Sequence, residues 1–134
     1  MRPITFRYPV LIKEQHLDTF AHVNNATYFI LFEEARWDLM VKNGFTIKKI
    51  QETKIGPTIL RITVNFLKEL RLRDEIMIET KMLSYERKIG ILQQRILRQD
   101  EVCCEAEFTI ALFNLNERKI IEPTADWLKT VGME

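Results

Sequence analysis

The feature that most restricts how this sequence folds is a helical stretch over about residues 26–42, in which apolar side chains occupy most of the circumference. Asn24 or Asn25 is suited to cap its start, and Gly44 is suited to end it. At 1.5 Å per residue this helix is roughly 25 Å long. A helix that is apolar on most sides is usually buried on most sides. The rest of the chain therefore has to surround it.

Alternation of apolar and polar residues predicts strands on both sides of this helix. Residues 4–14 form the first strand, and Pro9 places it at a sheet edge or at a bulge. After the helix, four more strands are predicted over residues 60–66, 75–86, 89–98 and 102–115, and the alternation in residues 60–66 predicts one buried face. Short turns between them imply antiparallel hairpins, and residues 123–131 suit a short helix. The order predicts an α+β architecture with a long central helix wrapped by an antiparallel sheet of about five strands.

Composition narrows the classes of function. The 134 residues show no repeat or linker, so we expect residues 1–134 to form a single domain. With 20 basic and 19 acidic residues, we expect no nucleic-acid partner.

No apolar run approaches the roughly 20 residues that span a bilayer, and residues 1–8 do not resemble a signal peptide. Adjacent Cys103 and Cys104 with two histidines offer little for a disulfide or a metal site. We expect a reduced, cytoplasmic protein without a metal.

The segment immediately before the helix carries the candidate chemistry. Asp18, His22, Asn24 and Asn25 place a carboxylate, a histidine and two carboxamides at the helix N-terminus. Unpaired N–H groups there can stabilise an oxyanion that forms on a substrate carbonyl. A nearby carboxylate can activate water or attack the carbonyl directly. This arrangement suits acyl transfer, although the same residue types are also ordinary caps and turn formers.

This segment resembles the signature of the 4-hydroxybenzoyl-CoA thioesterase family, within the hotdog superfamily. The family pattern is Asp-x-x-Gly-His-Val-Asn-Asn-x-x-Tyr. The present sequence reads Asp18-Thr19-Phe20-Ala21-His22-Val23-Asn24-Asn25-Ala26-Thr27-Tyr28. The resemblance implies a hotdog fold, with the long helix inside a curved antiparallel sheet. It also implies hydrolysis of an acyl thioester of CoA or of a carrier protein, without a metal or redox cofactor. The expected assembly is a homodimer or homotetramer with active sites at the subunit interface.

The resemblance also implies roles for individual residues. Asp18 falls on the family's catalytic aspartate, which acts as a general base or as a nucleophile. Asn25 falls where a backbone N–H faces the thioester carbonyl. His22 and Asn24 fall on positions that orient or support the site. Ala21 departs from the pattern, which has glycine there, and alanine is strained if the position requires a positive φ.

Other residues are candidates for substrate binding. Arg87 and Lys88, at a hairpin, correspond to basic residues that contact CoA phosphates in the family, or they form a solvated turn. The candidates for the acyl pocket, which otherwise fill the core, are Tyr28, Phe32, Leu60 and Ile62. Within the helix, Glu33 and Glu34 are either desolvated carboxylates that assist catalysis or polar residues of which one pairs with Arg36.

A different class of function remains open from the sequence alone. A hotdog domain can bind acyl thioesters as a scaffold without hydrolysing them, and Ala21 in place of glycine favours that alternative. A hotdog dehydratase has a different active-site signature, which we do not find here. A pure protein-interaction domain would neither bind nor cleave acyl thioesters.

Overall fold

The computed structural model describes residues 3–133, which form an antiparallel sheet of six strands packed on one long helix. The elements are β1 (Phe6–Leu11), a 3₁₀ turn (Glu14–His16), α1 (Asn25–Lys42), α2 (Ile47–Thr53), β2 (Ile55–Phe66), β3 (Glu75–Glu86), β4 (Ile89–Arg98), β5 (Glu101–Asn114), β6 (Lys119–Ile121) and α3 (Ala125–Thr130). The strand order is β1-β3-β4-β5-β2, and β6 also pairs with β5. The predicted α+β architecture, a long helix against a curved antiparallel sheet, is confirmed.

Helix α1 begins and ends where the sequence predicts. The Asn24 side chain accepts a hydrogen bond from the Ala26 N–H at 2.8 Å, which makes Asn24 the N-cap. Gly44 follows the helix with φ of 84°, a conformation that glycine adopts without strain. One side of the helix packs into the sheet, through Tyr28, Leu31, Phe32, Ala35, Leu39 and Met40.

The opposite side of α1 is not covered within one chain. Ile30 is 55% exposed and Val41 is 53% exposed, although both are apolar. The expectation of a helix buried on most sides is therefore wrong for a single chain. The sheet of one chain covers only one side of α1, the side that carries its buried residues.

Strand β2 confirms the strand prediction over residues 60–66 but not the buried face expected for it. Ile62 is 42% exposed, Phe66 is 47% exposed and Leu60 is 46% exposed. A register shift between Ile59 and Arg61 also interrupts the alternation. This edge of the sheet thus presents apolar side chains that the chain itself does not cover.

A buried polar group joins α1 to the middle of the sheet. Gln94 on β4 is fully buried, and its Nε2 donates to the Phe32 carbonyl at 3.0 Å and to Thr80 Oγ1 at 2.9 Å. Its Oε1 accepts from Arg36 Nη1 at 2.8 Å. The contacts connect the helix with β3 and β4, and satisfy the polar atoms of a side chain that water does not reach.

Of the remaining elements, the sequence predicts β1 and α3 but not α2 and β6. Strand β1 lies at a sheet edge, as Pro9 predicts, and α3 lies within the predicted 123–131 helix. The short helix α2 and the three-residue strand β6 are not predicted by the sequence patterns. Within residues 3–133, no helix is long and apolar enough to cross a bilayer.

Candidate active site

A tight loop precedes helix α1 and holds the predicted catalytic residues. A bridge between Leu17 and Val23 closes its base. Inside it, the Asp18 N–H donates to the His22 carbonyl at 2.9 Å, and the Ala21 N–H donates to the Asp18 carbonyl at 3.1 Å. Asp18 therefore has a fixed backbone position just before the helix, rather than a place on a free chain.

The two oxygens of the Asp18 carboxylate have different environments. Oδ1 accepts from the Phe20 N–H at 2.8 Å and from the His22 N–H at 3.3 Å. These contacts are typical of an aspartate that shapes its own turn. Oδ2 makes no hydrogen bond within residues 3–133, and the residue is only partly buried. One oxygen thus holds the loop, while the second remains open to another molecule.

The first turn of α1 leaves one backbone donor unused. The Ala26 N–H donates to the side chains of both Asn24 and Asn25, at 2.8 and 3.0 Å. The Asn25 N–H has no acceptor among the described residues, which is expected for the first residue of a helix. This donor combines with the positive end of the helix dipole, so the position favours a negatively charged oxygen.

His22 points towards a carboxylate on a neighbouring loop. Its Nε2 lies 3.3 Å from Glu69 Oε2, and both side chains are about half exposed. Beside it, the Val23 N–H donates to the Leu70 carbonyl at 3.4 Å. His22 therefore helps to tie the loop to the segment after β2, and the orienting role that the resemblance implies for it stays a prediction.

Ala21 adopts the strained conformation that the motif glycine would relieve. Its φ is 63°, in the left-handed region. The turn has not shifted to avoid this conformation, since the Ala21 N–H still closes the turn onto the Asp18 carbonyl. Next to it at the loop tip, the Phe20 side chain is 79% exposed.

Tyr28 lies one turn into the helix and is 5% exposed. Its ring meets the Phe66 ring edge-on, with centroids 5.0 Å apart. Burial, more than the nearby Cys104 thiol, raises the pKa of Tyr28 to about 12, so its hydroxyl stays neutral. A cavity of about 250 Å³ opens here beside the helix N-terminus, lined by Val23, Asn25, Tyr28, Phe66, Leu67, Lys68 and Glu69.

The structure does not bring Arg87 and Lys88 to this site within one chain. They form the hairpin at the end of β3, about 36 Å along the strand from Glu75 at 3.3 Å per residue. Lys68, which the sequence analysis missed, instead lines the cavity beside Asn25. In the sequence, Lys68 is recognisable only as a basic residue just after β2. It becomes a candidate once the fold shows that the end of β2 lies beside the N-terminus of α1.

The other sequence candidates do not line the cavity beside Asn25. Phe32 is fully buried in the core, whereas Leu60 and Ile62 lie exposed on β2. Glu33 and Glu34 are exposed, so neither is a desolvated carboxylate. Neither of the two forms a salt bridge within residues 3–133, so the expected pairing with Arg36 is also absent there.

The cysteines and possible metal ligands give no second reactive centre. Cys103 and Cys104 are buried free thiols, and burial raises the pKa of Cys104 to about 12, which disfavours the nucleophilic thiolate. In the described part of the chain, no three His, Cys, Asp or Glu side chains converge as a metal site. The groups present at the helix N-terminus are a partly buried carboxylate and a backbone N–H without an acceptor among the described residues.

Solved structures with the same architecture define the class of fold. A probable thioesterase from Escherichia coli, YbaW, superposes with a TM-score of 0.82 at 26% identity over 95% of this chain and 96% of its own. A hypothetical protein from Staphylococcus aureus, solved in complex with CoA, gives a TM-score of 0.88 at 16% identity over 100% of this chain and 89% of its own. The fold is the hotdog fold that the resemblance implies.

Sequence comparison gives the family. The model of the thioesterase-like superfamily matches residues 12–131, and the chain belongs to that superfamily. The long-chain acyl-CoA thioesterase FadM of Escherichia coli is 30% identical over 114 residues, 84% of this chain and 86% of the relative. The acyl-CoA thioester hydrolase YbgC of Escherichia coli is 26% identical over 129 residues, 96% of this chain and 88% of the relative. The prediction of a thioesterase is confirmed at the level of the family.

Proposed function

We propose that this protein hydrolyses acyl-CoA thioesters at the N-terminus of helix α1, with Asp18 as the reacting carboxylate. The observation that carries the proposal is that one short loop holds both a carboxylate oxygen and a backbone donor without partners. The oxygen is Asp18 Oδ2 at the start of the loop, and the donor is the Asn25 N–H at its end. The curated relatives named as acyl-CoA thioesterases supply the substrate class.

The Asn25 N–H is suited to stabilise the charge that develops during the reaction. When a nucleophile adds to the thioester carbonyl, its oxygen becomes an oxyanion. A fixed N–H at the positive end of a helix binds this oxyanion more strongly than the neutral carbonyl of the substrate. Loss of one such donor typically costs about 10²–10³-fold in rate. Asn24 supports the donor indirectly, because its side chain caps the same turn.

Two routes are open to Asp18. As a general base, Oδ2 takes a proton from water while the hydroxide adds to the carbonyl carbon, and the C–S bond then breaks to release the protonated thiol. As a nucleophile, Oδ2 adds to the carbon itself, the thiol leaves, and water hydrolyses the mixed anhydride. Oxygen from labelled water that enters Asp18 during turnover distinguishes the second route from the first.

The CoA part has several candidate contacts. Lys68 lines the cavity beside Asn25, and Arg71 lies on the same loop. Both present cationic donors suited to phosphate. Arg87 and Lys88 remain a prediction from the family resemblance, and they can reach a substrate bound here only as the hairpin of a second copy.

We also propose a homodimer or homotetramer. Its support is the uncovered apolar edge formed by β2, where Leu60, Ile62 and Phe66 are each more than 40% exposed. A long apolar sheet edge left open to water favours pairing with another strand. The pairing of two β2 edges would place a second copy beside the Asn25 cavity, to which β2 already contributes Phe66.

The test is thiol release from a panel of acyl-CoAs, followed with a thiol-reactive dye, by wild type and by Asp18→Asn. Asparagine keeps an oxygen that can accept the Phe20 and His22 N–H bonds, and removes only the charge. We expect a loss on the order of a hundredfold or more in kcat/KM. Asp100→Asn, at the exposed turn before β5, is the matched control and should keep wild-type activity.

Two other outcomes contradict the proposal at different points. If Asp18→Asn keeps the activity of wild type, the reacting carboxylate is a different one. If wild type releases no thiol from any acyl-CoA or carrier-protein thioester but binds the CoA esters, the protein is the non-catalytic binder. The strained Ala21 backbone is the feature that favours that alternative.

A further inference from the structure

A second cavity lies between the middle of helix α1 and the start of β2, away from the Asp18 loop. Its volume is about 140 Å³, similar to apolar cavities of about 150 Å³ that hold a benzene-sized molecule. We call it the distal cavity. Most of its wall is apolar and includes Trp37, Met40, Pro57, Ile59 and Trp127. Glu33 and Arg36 supply the only charged groups in that wall.

Arg36 is incompletely satisfied where it borders this cavity. Its guanidinium carries five N–H donors, and a single hydrogen bond, from Nη1 to Gln94 Oε1 at 2.8 Å, is formed within residues 3–133. The Cζ atom lies 4.7 Å from the centre of the Phe108 ring, within the range of a cation–π contact. Burial lowers the Arg36 pKa to about 10, against the opposing effect of Glu33, so the group stays charged at neutral pH.

The distal cavity and the candidate active site lie along the same two elements. Helix α1 contributes Asn25 to the cavity at the active site and Arg36 to the distal cavity. Strand β2 contributes Phe66 to the first cavity and Ile59 to the second. Asn25 and Arg36 are eleven residues apart, which is close to three full turns of the helix. Both therefore lie on one face of the helix. Their separation along the axis is about 16 Å.

The surface between the two cavities is suited to an extended hydrocarbon chain. Cross-strand pairing with buried Phe108 and Ala106 puts Ile62 and Val64 on the face of β2 that is turned towards α1. Ile62 is 42% exposed there. An extended chain advances about 1.2 Å per bond, as extended backbone does, so about fourteen carbons span the distance from Asn25 to Arg36.

We propose that the distal cavity receives the far end of the acyl group, and that Arg36 and Glu33 select an acyl chain of about fourteen carbons that carries a hydroxyl group there. The hydroxyl oxygen accepts from the Arg36 guanidinium, and the hydroxyl hydrogen donates to the Glu33 carboxylate. The inference rests on the proposed function, which sets the carbonyl end of the chain at Asn25.

The flanking charges explain why a hydroxyl fits better than the alternatives. A methyl end displaces water from the Arg36 donors and gives them no acceptor, which is unfavourable for a buried polar group. A carboxylate end satisfies Arg36 but meets the negative charge of Glu33. A hydroxyl group is both donor and acceptor, and so it satisfies both side chains.

The test measures binding of free acids, which does not depend on turnover. Calorimetry compares three fourteen-carbon acids that end in a methyl group, a hydroxyl group or a second carboxylate. We expect wild type to bind the hydroxylated acid at least tenfold more tightly than the other two. Arg36→Met should bind the methyl and hydroxyl forms with similar affinity. Arg118→Met is the matched control, since Arg118 also lies over a phenylalanine ring but does not line this cavity, and it should keep the wild-type preference.

Several results would overturn the inference. They are equal affinities in wild type, no binding of any acid, tightest binding of the dicarboxylic acid, or an unchanged preference in Arg36→Met. If a second copy fills the cavity instead, Arg36→Met alters the dimer dissociation constant and leaves the preference unchanged. Should Arg36→Met fail to fold, Arg36→Lys retains the charge without the planar fork and should weaken the preference. Binding with this preference but without thioester cleavage refutes the proposed function alone.

Discussion

Ala21 is a residue whose backbone conformation costs stability. Its φ of 63° lies in the left-handed region, where an alanine Cβ is crowded by the neighbouring carbonyl at a cost of about 1–2 kcal/mol. Ala21→Gly removes this strain, although glycine has more freedom in the unfolded chain. We expect a net stabilisation of about 1 kcal/mol, measured as a rise of about 4 °C in the melting temperature.

A second alanine in the same segment is the control for this substitution. Ala26 is an exposed residue in the first turn of α1 with helical φ, so Ala26→Gly should lower stability by up to about 1 kcal/mol. If both substitutions destabilise the protein to the same extent, strain at Ala21 is not the cause. Activity on acyl-CoAs should persist in Ala21→Gly, because the family motif itself has glycine at this position.

Local sequence could predict some of the site residues and not others. Asp18, Asn24 and Asn25 are recognisable because the helix cap, the turn before it and the family motif all lie within ten residues of the sequence. Arg36 and Lys68 are ordinary charged residues on a helix and in a loop when read locally. Their significance depends on Gln94 and on the cavity beside Asn25, which the fold brings near from distant parts of the chain.

At the scale of elements, Gln94 connects α1 to two strands. It is fully buried and makes three hydrogen bonds, of which one accepts from the charged Arg36. Gln94→Leu leaves the Phe32 carbonyl, Thr80 and Arg36 without this partner, so we expect a loss of about 2–3 kcal/mol in the free energy of unfolding. Urea denaturation measures it. Gln93→Leu, on the other face of the same strand, should change stability by less than about 0.5 kcal/mol.

The elements differ in how well sequence predicts them. Strands β3 and β4 have the predicted bounds, Glu75–Glu86 and Ile89–Arg98, because long alternation and a two-residue turn define both ends. Helix α2 is only two turns long, and its cap, in which Thr46 accepts from the Lys49 N–H, is a weak signal. Strand β6 has three residues and depends on the extended end of β5. Short elements such as these are decided by tertiary pairing.

At the scale of the whole molecule, the family resemblance predicted the fold, and periodicity alone predicted only its class. The apolar alternation in β2 predicts a face buried in the chain's own core. The same pattern is also expected for a face that another copy covers, because alternation shows that a face is apolar but not which element covers it. The same holds for helix α1, where Ile30 and Val41 are apolar but exposed.

The open β2 edge gives the last prediction. Leu60 is 46% exposed there, so burial of this remaining half by a second copy would contribute about 1 kcal/mol per chain. In a symmetric dimer Leu60→Lys loses this contribution twice, which should weaken association by at least tenfold. If the assembly is the homodimer, light scattering should then give about 32 kDa for wild type, twice the 16.0 kDa of the chain, and 16.0 kDa for the variant. Leu11→Lys, on the opposite edge strand and 37% exposed, should remain a dimer. A monomeric wild type that still cleaves acyl-CoAs would show that one chain holds the complete site. The exposed apolar side chains of β2 would then not form a dimer interface.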